Sequence, residues 1–220
     1  MKHTDTSHLL ILVGGYTAFF VATWWARRTG GLRFVGDDGF ARSGSLLIAL
    51  HVIGIVVFLL PAFVPIAEVS ILTHTSTWAV ATAVVTALLA ATIAYTQAKK
   101  TSLTLQGKAI PIIPPTTTFT ASYFVLRICF IIVYEWWFRG VLLLYLAGEY
   151  GLTTSLNVNI ILYSAIHIVN GKREAISCIP FGLMLCGLCL WNDAVWPAMV
   201  VHLALTLTYE IEVLRKVRAT

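Results

Sequence analysis

The chain contains seven apolar runs of about the length that crosses a lipid bilayer, and this recurrence restricts its fold more than any other feature. A helix needs about 20 mainly apolar residues to span the hydrocarbon core. Backbone polar groups in lipid must be satisfied within the chain, which favours helices. The sequence therefore predicts an all-α polytopic transmembrane helical bundle of about seven helices. The predicted runs are 8–25, 45–67, 78–96, 119–147, 156–169, 175–191 and 194–213.

Composition excludes a soluble globule. Hydrophobic residues make up 58% of the 220 residues and charged residues only 11%, which leaves too little polar surface to face water on all sides. The net charge of +5 does not indicate nucleic-acid binding, because most of the basic residues lie in the connections between apolar runs or in the C-terminal tail. The first partner to expect is the lipid bilayer, and no nucleic-acid partner is expected.

The basic residues predict the orientation, since Lys and Arg in short loops favour the cytoplasmic side. They follow the first, third, fifth and seventh runs, whereas the intervening connections carry none. We therefore expect an integral membrane protein with its N-terminus outside and its C-terminus in the cytoplasm. The residues concerned are Arg27, Arg28, Arg33 and Arg42; Lys99, Lys100 and Lys108; Lys172 and Arg173; and Arg215, Lys216 and Arg218.

The longest connection separates two parts of the chain. It covers 97–118 and contains Pro111, Pro114 and Pro115, which stop helices and favour extended backbone. The division predicts an N-terminal part, 1–118, with three helices and the proline-containing linker, and a four-helix core, 119–220. The residues that we take as candidates for acid–base chemistry lie in the core.

Glu135 and Arg139 lie inside the fourth apolar run. An ionisable group in hydrocarbon costs at least about 2.5–3.5 kcal/mol, so such residues usually have a function. Because they are four residues apart, their side chains lie on one helical face and can form a pair. The simplest alternative is a buried salt bridge with a purely structural role.

His167 and His202 lie in the fifth and seventh runs, and with Glu135 they are expected near the middle of the membrane. Side chains of this kind avoid lipid and converge on a water-containing cavity. A carboxylate and imidazoles can activate water and polarise a carbonyl, which favours hydrolysis. Cys186 and Cys189 form a CxxC pattern, but within an apolar helix it is weak evidence for a metal.

Three motifs carry a resemblance to a known family. They are Glu-Trp-Trp-Phe-Arg-Gly at 135–140, Tyr-x-x-x-His at 163–167 and Trp-Pro-Ala-Met-Val-Val-His at 196–202. In order and spacing they resemble the EExxxR, FxxxH and HxxxN signatures of the CAAX protease and bacteriocin-processing (CPBP or Abi) family of intramembrane glutamic proteases. The resemblance covers about 119–209 and implies a helical membrane protease, with a bacterial inner membrane as the expected location.

The resemblance also implies site residues. Glu135 matches the second glutamate of the first signature, Arg139 its arginine, and His167 and His202 the histidines of the second and third signatures. In the family, the first glutamate and the second-signature histidine activate water, while the third-signature histidine and asparagine stabilise the oxyanion. Thr206 stands at the position of that asparagine.

Two positions depart from the family pattern. Tyr134 replaces the first glutamate, and neighbouring helical residues point about 100° apart, so Glu135 does not simply take its place. Either the local backbone turns Glu135 toward His167 or the usual base is missing. Thr206 retains one hydroxyl donor where an asparagine amide offers two.

Two functions remain open at this stage. The first is an intramembrane endopeptidase in which Glu135 and His167 activate water, His202 and Thr206 polarise the carbonyl, and Arg139 orients Glu135. Its partner would be a membrane-anchored protein or peptide substrate. The second is a catalytically degenerate scaffold, an immunity-type protein or a subunit of a membrane complex. No cofactor is expected, although two histidines and a glutamate could bind zinc.

Overall fold

The structure is a bundle of helices joined by short connections. The computed structural model describes residues 6–29, 33–36, 39–64, 75–106 and 115–219. Two short antiparallel strands, β1 (Val35–Gly36) and β2 (Gly39–Phe40), lie between the first two helices. The helices are α1 (Thr6–Thr29), α2 (Gly44–Leu59), α3 (Thr77–Gln106), α4 (Thr117–Glu135), α5 (Leu143–Tyr150), α6 (Leu152–His167), α7 (Lys172–Asn192) and α8 (Trp196–Arg218).

Three segments of other helical types complete the spans. A 3₁₀ turn, Leu60–Phe63, follows α2, and another, Ile168–Asn170, follows α6. A π-helix, Trp136–Leu142, joins α4 to α5 into a single long segment. Within the described ranges, seven helical segments are long and apolar enough to cross a membrane, which confirms the predicted all-α bundle.

The structure adjusts some predicted boundaries. Helix α3 continues through the basic residues Lys99 and Lys100 to Gln106, so the following connection is shorter than the predicted 97–118. Its Pro111 and Pro114, with Lys108, lie outside the described residues, as does the predicted end of the second run at position 67. The fifth span begins at Leu152, directly after Gly151, whose φ of 84° makes a sharp turn from α5.

The fourth span forms the centre of the bundle. Within its most apolar window 72% of residues are buried, against 22% for the third span. Its apolar side chains pack against α1, α2 and α6, while the exposed faces of the outer helices are rich in Val, Leu and Ile. Such faces suit contact with lipid, and the central position of α4 places its polar residues away from lipid.

The ends of several helices meet beside the β1–β2 hairpin. Phe34, just before β1, stacks on Tyr123 of α4 with ring centroids 4.4 Å apart. Residues of α2, α3 and the C-terminal part of α8, including Leu47, Leu105 and Val213, complete this cluster. The N-terminal end of α4 and the C-terminal end of α8 therefore lie at the same end of the bundle.

The crossing of α2 with α1 and α4 depends on Gly54. A Cβ atom there would lie 2.4 Å from Cε2 of Phe130 and 2.7 Å from Cε2 of Phe19. Both rings are buried and pack against each other, so neither can move aside easily. We expect Gly54→Ala to destabilise the fold by about 1–3 kcal/mol, the usual cost of overpacking.

Thermal denaturation of the detergent-solubilised protein measures this effect. Gly14→Ala in α1 is the matched control, because a Cβ at Gly14 has no neighbouring atom within 4 Å. A fall in Tm for Gly54→Ala alone supports close helix packing at this point. Equal Tm values for the two variants would contradict it.

Candidate active site

Glu135, at the end of α4, forms the centre of a buried charged cluster. Its side chain has no exposed surface, and its Oε1 lies 2.5 Å from Nδ1 of His202 on α8. Its Oε2 lies 3.2 Å from Nε of Arg139, which is also wholly buried. The structure thus contains the expected Glu135–Arg139 pair. The histidine that contacts Glu135, however, is His202 and not His167.

The π-helix begins immediately after Glu135 and displaces the residues that follow. An N–H to C=O bond from Leu143 to Phe138 spans five residues, as π-helical geometry requires. Asn159 of α6 donates from Nδ2 to the Phe138 carbonyl at 2.5 Å, and Ser155 donates to the Leu143 carbonyl at 2.5 Å. These buried bonds hold the irregular segment in place. Such π-helical insertions occur often at functional sites.

Arg139 lies against the face of an aromatic ring. Its Cζ is 4.2 Å from the ring centroid of Tyr163 on α6, which is a cation–π contact. Gly182 of α7 leaves the necessary space, since a Cβ there would lie 3.0 Å from Tyr163 and 3.6 Å from Nη2 of Arg139. Arg139 is therefore enclosed by three helices and holds Glu135 from the side away from His202.

His167 is the last residue of α6, and its carboxylate partner comes from α7. Its Nδ1 lies 2.8 Å from Oε1 of Glu174. Asn170 donates to the same oxygen at 2.5 Å, and Arg33 donates to Oε2 at 2.6 Å and also to the Asn170 carbonyl. Glu174 is thus fixed by three side chains, including one from the connection between α1 and α2.

Sequence reasoning missed Glu174. The available signal was the Asn-Gly pair at 170–171, a dipeptide typical of turns. Gly171 has φ of 122°, which lets the chain reverse between α6 and α7 and brings the first turn of α7 back to the end of α6. Residues seven apart in sequence therefore become hydrogen-bonding neighbours.

One cavity connects the two histidines. Its volume is about 380 Å³, and His167, Glu174, His202 and Thr206 are among its lining residues. Among the described residues, Glu135 and Arg139 do not line it, because Glu135 lies behind His202. Each histidine has Nδ1 engaged by a carboxylate, which leaves Nε2 as the nitrogen available for chemistry.

Tyr134 also lines this cavity. Its ring centroid lies 6.1 Å from that of His202 and 5.9 Å from that of Tyr163. The Tyr163 ring in turn lies 5.2 Å from His167 and 6.5 Å from His202. At the position that the motif resemblance aligns with the first glutamate of the EExxxR signature, this chain therefore presents a buried aromatic ring to the cavity.

A second polar cluster lines another part of the same cavity. Arg127 of α4 lies between His51 of α2, with Nη1 to Nε2 at 3.3 Å, and Glu210 of α8, with Nη2 to Oε1 at 3.4 Å. Tyr123 donates its hydroxyl to Glu210 at 3.0 Å. Glu210 is buried and Arg127 is largely so. From sequence, both would be taken for interfacial residues, but the structure pairs them inside the bundle.

Metal ligation gains no support from the geometry of the described residues. No group of three or more His, Cys, Asp or Glu side chains in them is placed to hold a metal ion. Cys186 and Cys189 are both free, and Cys186 donates to Oδ1 of Asn159 at 3.4 Å.

Residues 116–208 match a family model described as Type II CAAX prenyl endopeptidase Rce1-like. The match covers about two fifths of the chain and includes Glu135, Arg139, His167, His202 and Thr206. It confirms the family resemblance carried by the three motifs and indicates a protease at the level of the family. No curated protein and no solved structure matches the chain.

Proposed function

We propose that the protein is an intramembrane endopeptidase that cleaves the tail of a lipidated or membrane-anchored protein, because residues 116–208 match the model of the Rce1-like CAAX prenyl endopeptidases. The observation that carries this proposal is the pair of imidazoles around one cavity. Each has its Nδ1 held by a carboxylate, from Glu174 or Glu135, and both line the same space.

His167 is the proposed general base. A carboxylate on Nδ1 fixes the orientation of the ring and stabilises the imidazolium that forms when Nε2 takes a proton. Water is the proposed nucleophile. The role of activating water together with His167, expected for Glu135 from the sequence, is therefore assigned to Glu174. Glu174 is the carboxylate that contacts His167.

His202 and Thr206 are the proposed stabilisers of the oxyanion. With Nδ1 sharing a proton with Glu135, a hydrogen on Nε2 can point to the carbonyl oxygen of the substrate. Thr206 lies one helical turn further along α8 and also lines the cavity, so its hydroxyl offers a second donor. Glu135, which is paired with Arg139, fixes the His202 ring through Nδ1 and does not itself line the cavity.

The proposed reaction is hydrolysis of a peptide bond, in which water and His167 supply every atom and proton that is transferred. The water oxygen bonds to the carbonyl carbon, and its proton passes to Nε2 of His167. The carbon–nitrogen bond then breaks, and His167 returns the proton to the departing amine. The products are a carboxylic acid and an amine.

The proposed location is a bacterial inner membrane, with the N-terminus outside and the C-terminus in the cytoplasm. The alternation of basic connections supports this orientation. The cavity is lined by Arg33 of the first basic connection and by Glu174, which follows the basic pair of the third. A cytoplasmic tail could therefore reach it from that side.

One observation favours a second candidate, a degenerate scaffold within a membrane complex. The Tyr134 ring lines the cavity where the family has a catalytic carboxylate, and Glu135 is withdrawn behind His202. In that case the two carboxylate–histidine pairs would serve to fix helix packing.

A cleavage assay separates the two functions. The protein is reconstituted in lipid nanodiscs and incubated with a panel of prenylated and transmembrane-anchored peptides, and products are identified by mass spectrometry. We expect a new fragment with the wild-type protein and none with His167→Gln, because the base is lost.

Arg173→Gln is the matched control, since Arg173 is exposed and lies on the same side of the bundle. Intact substrate across the panel, together with a stable protein partner in pull-downs, would instead establish the scaffold. A parallel incubation with a chelator tests zinc, because metal-dependent cleavage would stop.

A further inference from the structure

The carboxylate that supports His167 is itself held by a residue from the N-terminal part of the chain. Arg33 lies in the connection between α1 and β1, outside the residues 116–208 that match the family model. Its Nη2 donates to Oε2 of Glu174 at 2.6 Å, and the same nitrogen donates to the carbonyl of Asn170. The surroundings of the proposed base are therefore completed by a side chain that the three motifs do not contain.

The two bonds of Arg33 join both sides of the reversal between α6 and α7. Asn170 is the last residue of the 3₁₀ turn after α6, and Glu174 lies in the first turn of α7. A terminal guanidinium nitrogen carries two hydrogens, so it can donate one to each acceptor. Arg33 therefore fixes the Glu174 carboxylate relative to the end of the helix that carries His167.

The two oxygens of Glu174 have separate partners. Oε1 contacts Nδ1 of His167 at 2.8 Å and accepts from Nδ2 of Asn170 at 2.5 Å, whereas Oε2 accepts from Arg33. Because Oε2 is engaged by Arg33, Oε1 is the oxygen that stays directed at the imidazole.

Burial alone does not hold this carboxylate in place. The side chain of Glu174 is 35% exposed and that of Arg33 is 34% exposed, in contrast to the wholly buried pair of Glu135 and Arg139. Water can reach an ion pair with this exposure, so the pair adds little to stability. We therefore expect it to affect the geometry at His167 more than the stability of the fold.

The backbone next to Arg33 is anchored within the bundle. The buried ring of Phe34 stacks on Tyr123, and the Phe34 carbonyl accepts from the N–H of Ala41 at 3.0 Å. This anchor limits the positions that the Arg33 guanidinium can reach.

We propose that Arg33 is a positioning residue for the proposed general base, and this inference rests on the proposed function. Arg33 acts through Glu174, which keeps a proton on Nδ1 of His167 and leaves Nε2 free to take a proton from water. The connection between the first two helices is therefore part of the catalytic apparatus of this chain.

Cleavage of a prenylated peptide in nanodiscs tests the kinetic consequence. We expect Arg33→Gln to lower kcat by about 10- to 100-fold with little change in KM, because a displaced carboxylate misplaces the base. Arg33→Lys should recover part of the loss, since both bonds come from one nitrogen and a lysine ammonium also has several donors. Arg27→Gln is the matched control, because Arg27 is exposed and donates to the Ile168 carbonyl of the same turn, at 3.4 Å, rather than to Glu174.

A double variant tests whether Arg33 acts through Glu174. The kcat of Arg33→Gln/Glu174→Gln should equal that of Glu174→Gln alone, because the contact is already lost. If the two losses multiply, Arg33 acts independently of Glu174 and the inference is wrong. A Tm of Arg33→Gln clearly below that of Arg27→Gln, with no recovery of kcat in Arg33→Lys, would indicate a structural role and would also overturn it.

The state of the His167 ring separates this inference from the cleavage reaction. Protein labelled with ¹⁵N-histidine in detergent micelles shows by NMR which ring nitrogen carries the proton, and His167→Gln identifies the signal. At a pH where the ring is neutral, we expect the proton on Nδ1 in the wild-type protein and in Arg27→Gln. In Arg33→Gln we expect the population to shift toward the proton on Nε2, because Glu174 no longer holds Nδ1.

The NMR and kinetic results together decide between the possible outcomes. A shift of the ring proton in Arg33→Gln, combined with no cleavage by the wild-type protein, would support the positioning of His167 by Arg33 and reject the endopeptidase. An unchanged His167 ring in Arg33→Gln would overturn the inference, whether or not the wild-type protein cleaves its substrate. Wild-type kcat in Arg33→Gln would overturn it as well.

Discussion

Replacing Glu174 with glutamine is expected to lower kcat by about 10²- to 10⁴-fold, the range typical for loss of general acid–base catalysis. Glutamine keeps the size of the side chain and can still accept a hydrogen bond from Nδ1 of His167. It no longer supplies the negative charge that stabilises the imidazolium. Cleavage of a prenylated peptide under single-turnover and steady-state conditions measures the change.

The division between kcat and KM distinguishes a positioning role from a general loss of structure. Glu174 contacts His167, Asn170 and Arg33, so KM should change little if its role is to support the base. Glu149→Gln is a suitable control, because Glu149 lies in α5 and is not among the lining residues of the cavity. Full kcat in Glu174→Gln would show that His167 does not act with this carboxylate.

The sequence predicts the number of membrane spans well, because the lipid bilayer determines how long and how apolar each span must be. Lipid requires about 20 apolar residues for each span, so the number of spans follows from hydropathy alone. The Glu135–Arg139 pair is also predictable, since residues four apart remain neighbours on one helical face even though Arg139 lies in the π-helix. Predicting the number of spans and this pair does not require knowledge of how the helices pack against each other.

The partner of each histidine is not predictable in this way. The expected Glu135–His167 contact requires the local backbone to turn Glu135 toward His167, but the irregular segment begins only after Glu135, and α8 supplies His202 as its partner instead. The Glu174–His167 contact depends on the reversal at Gly171. Both outcomes depend on tertiary packing and on one irregular backbone segment, for which apolar periodicity carries no signal.

The ion pair between Arg127 and Glu210 is not predictable from sequence for the same reason, since it depends on tertiary packing. Each lies near the end of an apolar run, where a charged residue usually extends to the membrane surface. In the structure their helices are antiparallel neighbours, so the two charges neutralise each other within the bundle. Charge pairs between helices become visible only when the relative rotation of the helices is known.

Removing one charge from the Glu135–Arg139 pair is expected to destabilise the fold by about 3–5 kcal/mol, the usual cost of leaving a buried charge without its partner. Both side chains are wholly buried, so water cannot compensate. Glu135→Gln keeps the shape of the side chain but leaves the Arg139 guanidinium uncompensated against Tyr163. Denaturation of the detergent-solubilised protein, followed by Tm, measures the loss.

The double variant Glu135→Gln/Arg139→Met tests whether the loss comes from the charge itself. Methionine replaces the arginine stem without its charge, so the double variant should be more stable than Glu135→Gln alone. His202 retains an acceptor in both proteins, which keeps its contact comparable. If the double variant loses the sum of the two single effects, Glu135 and Arg139 do not interact energetically, and the role of Arg139 in holding Glu135 against His202 would have to be abandoned.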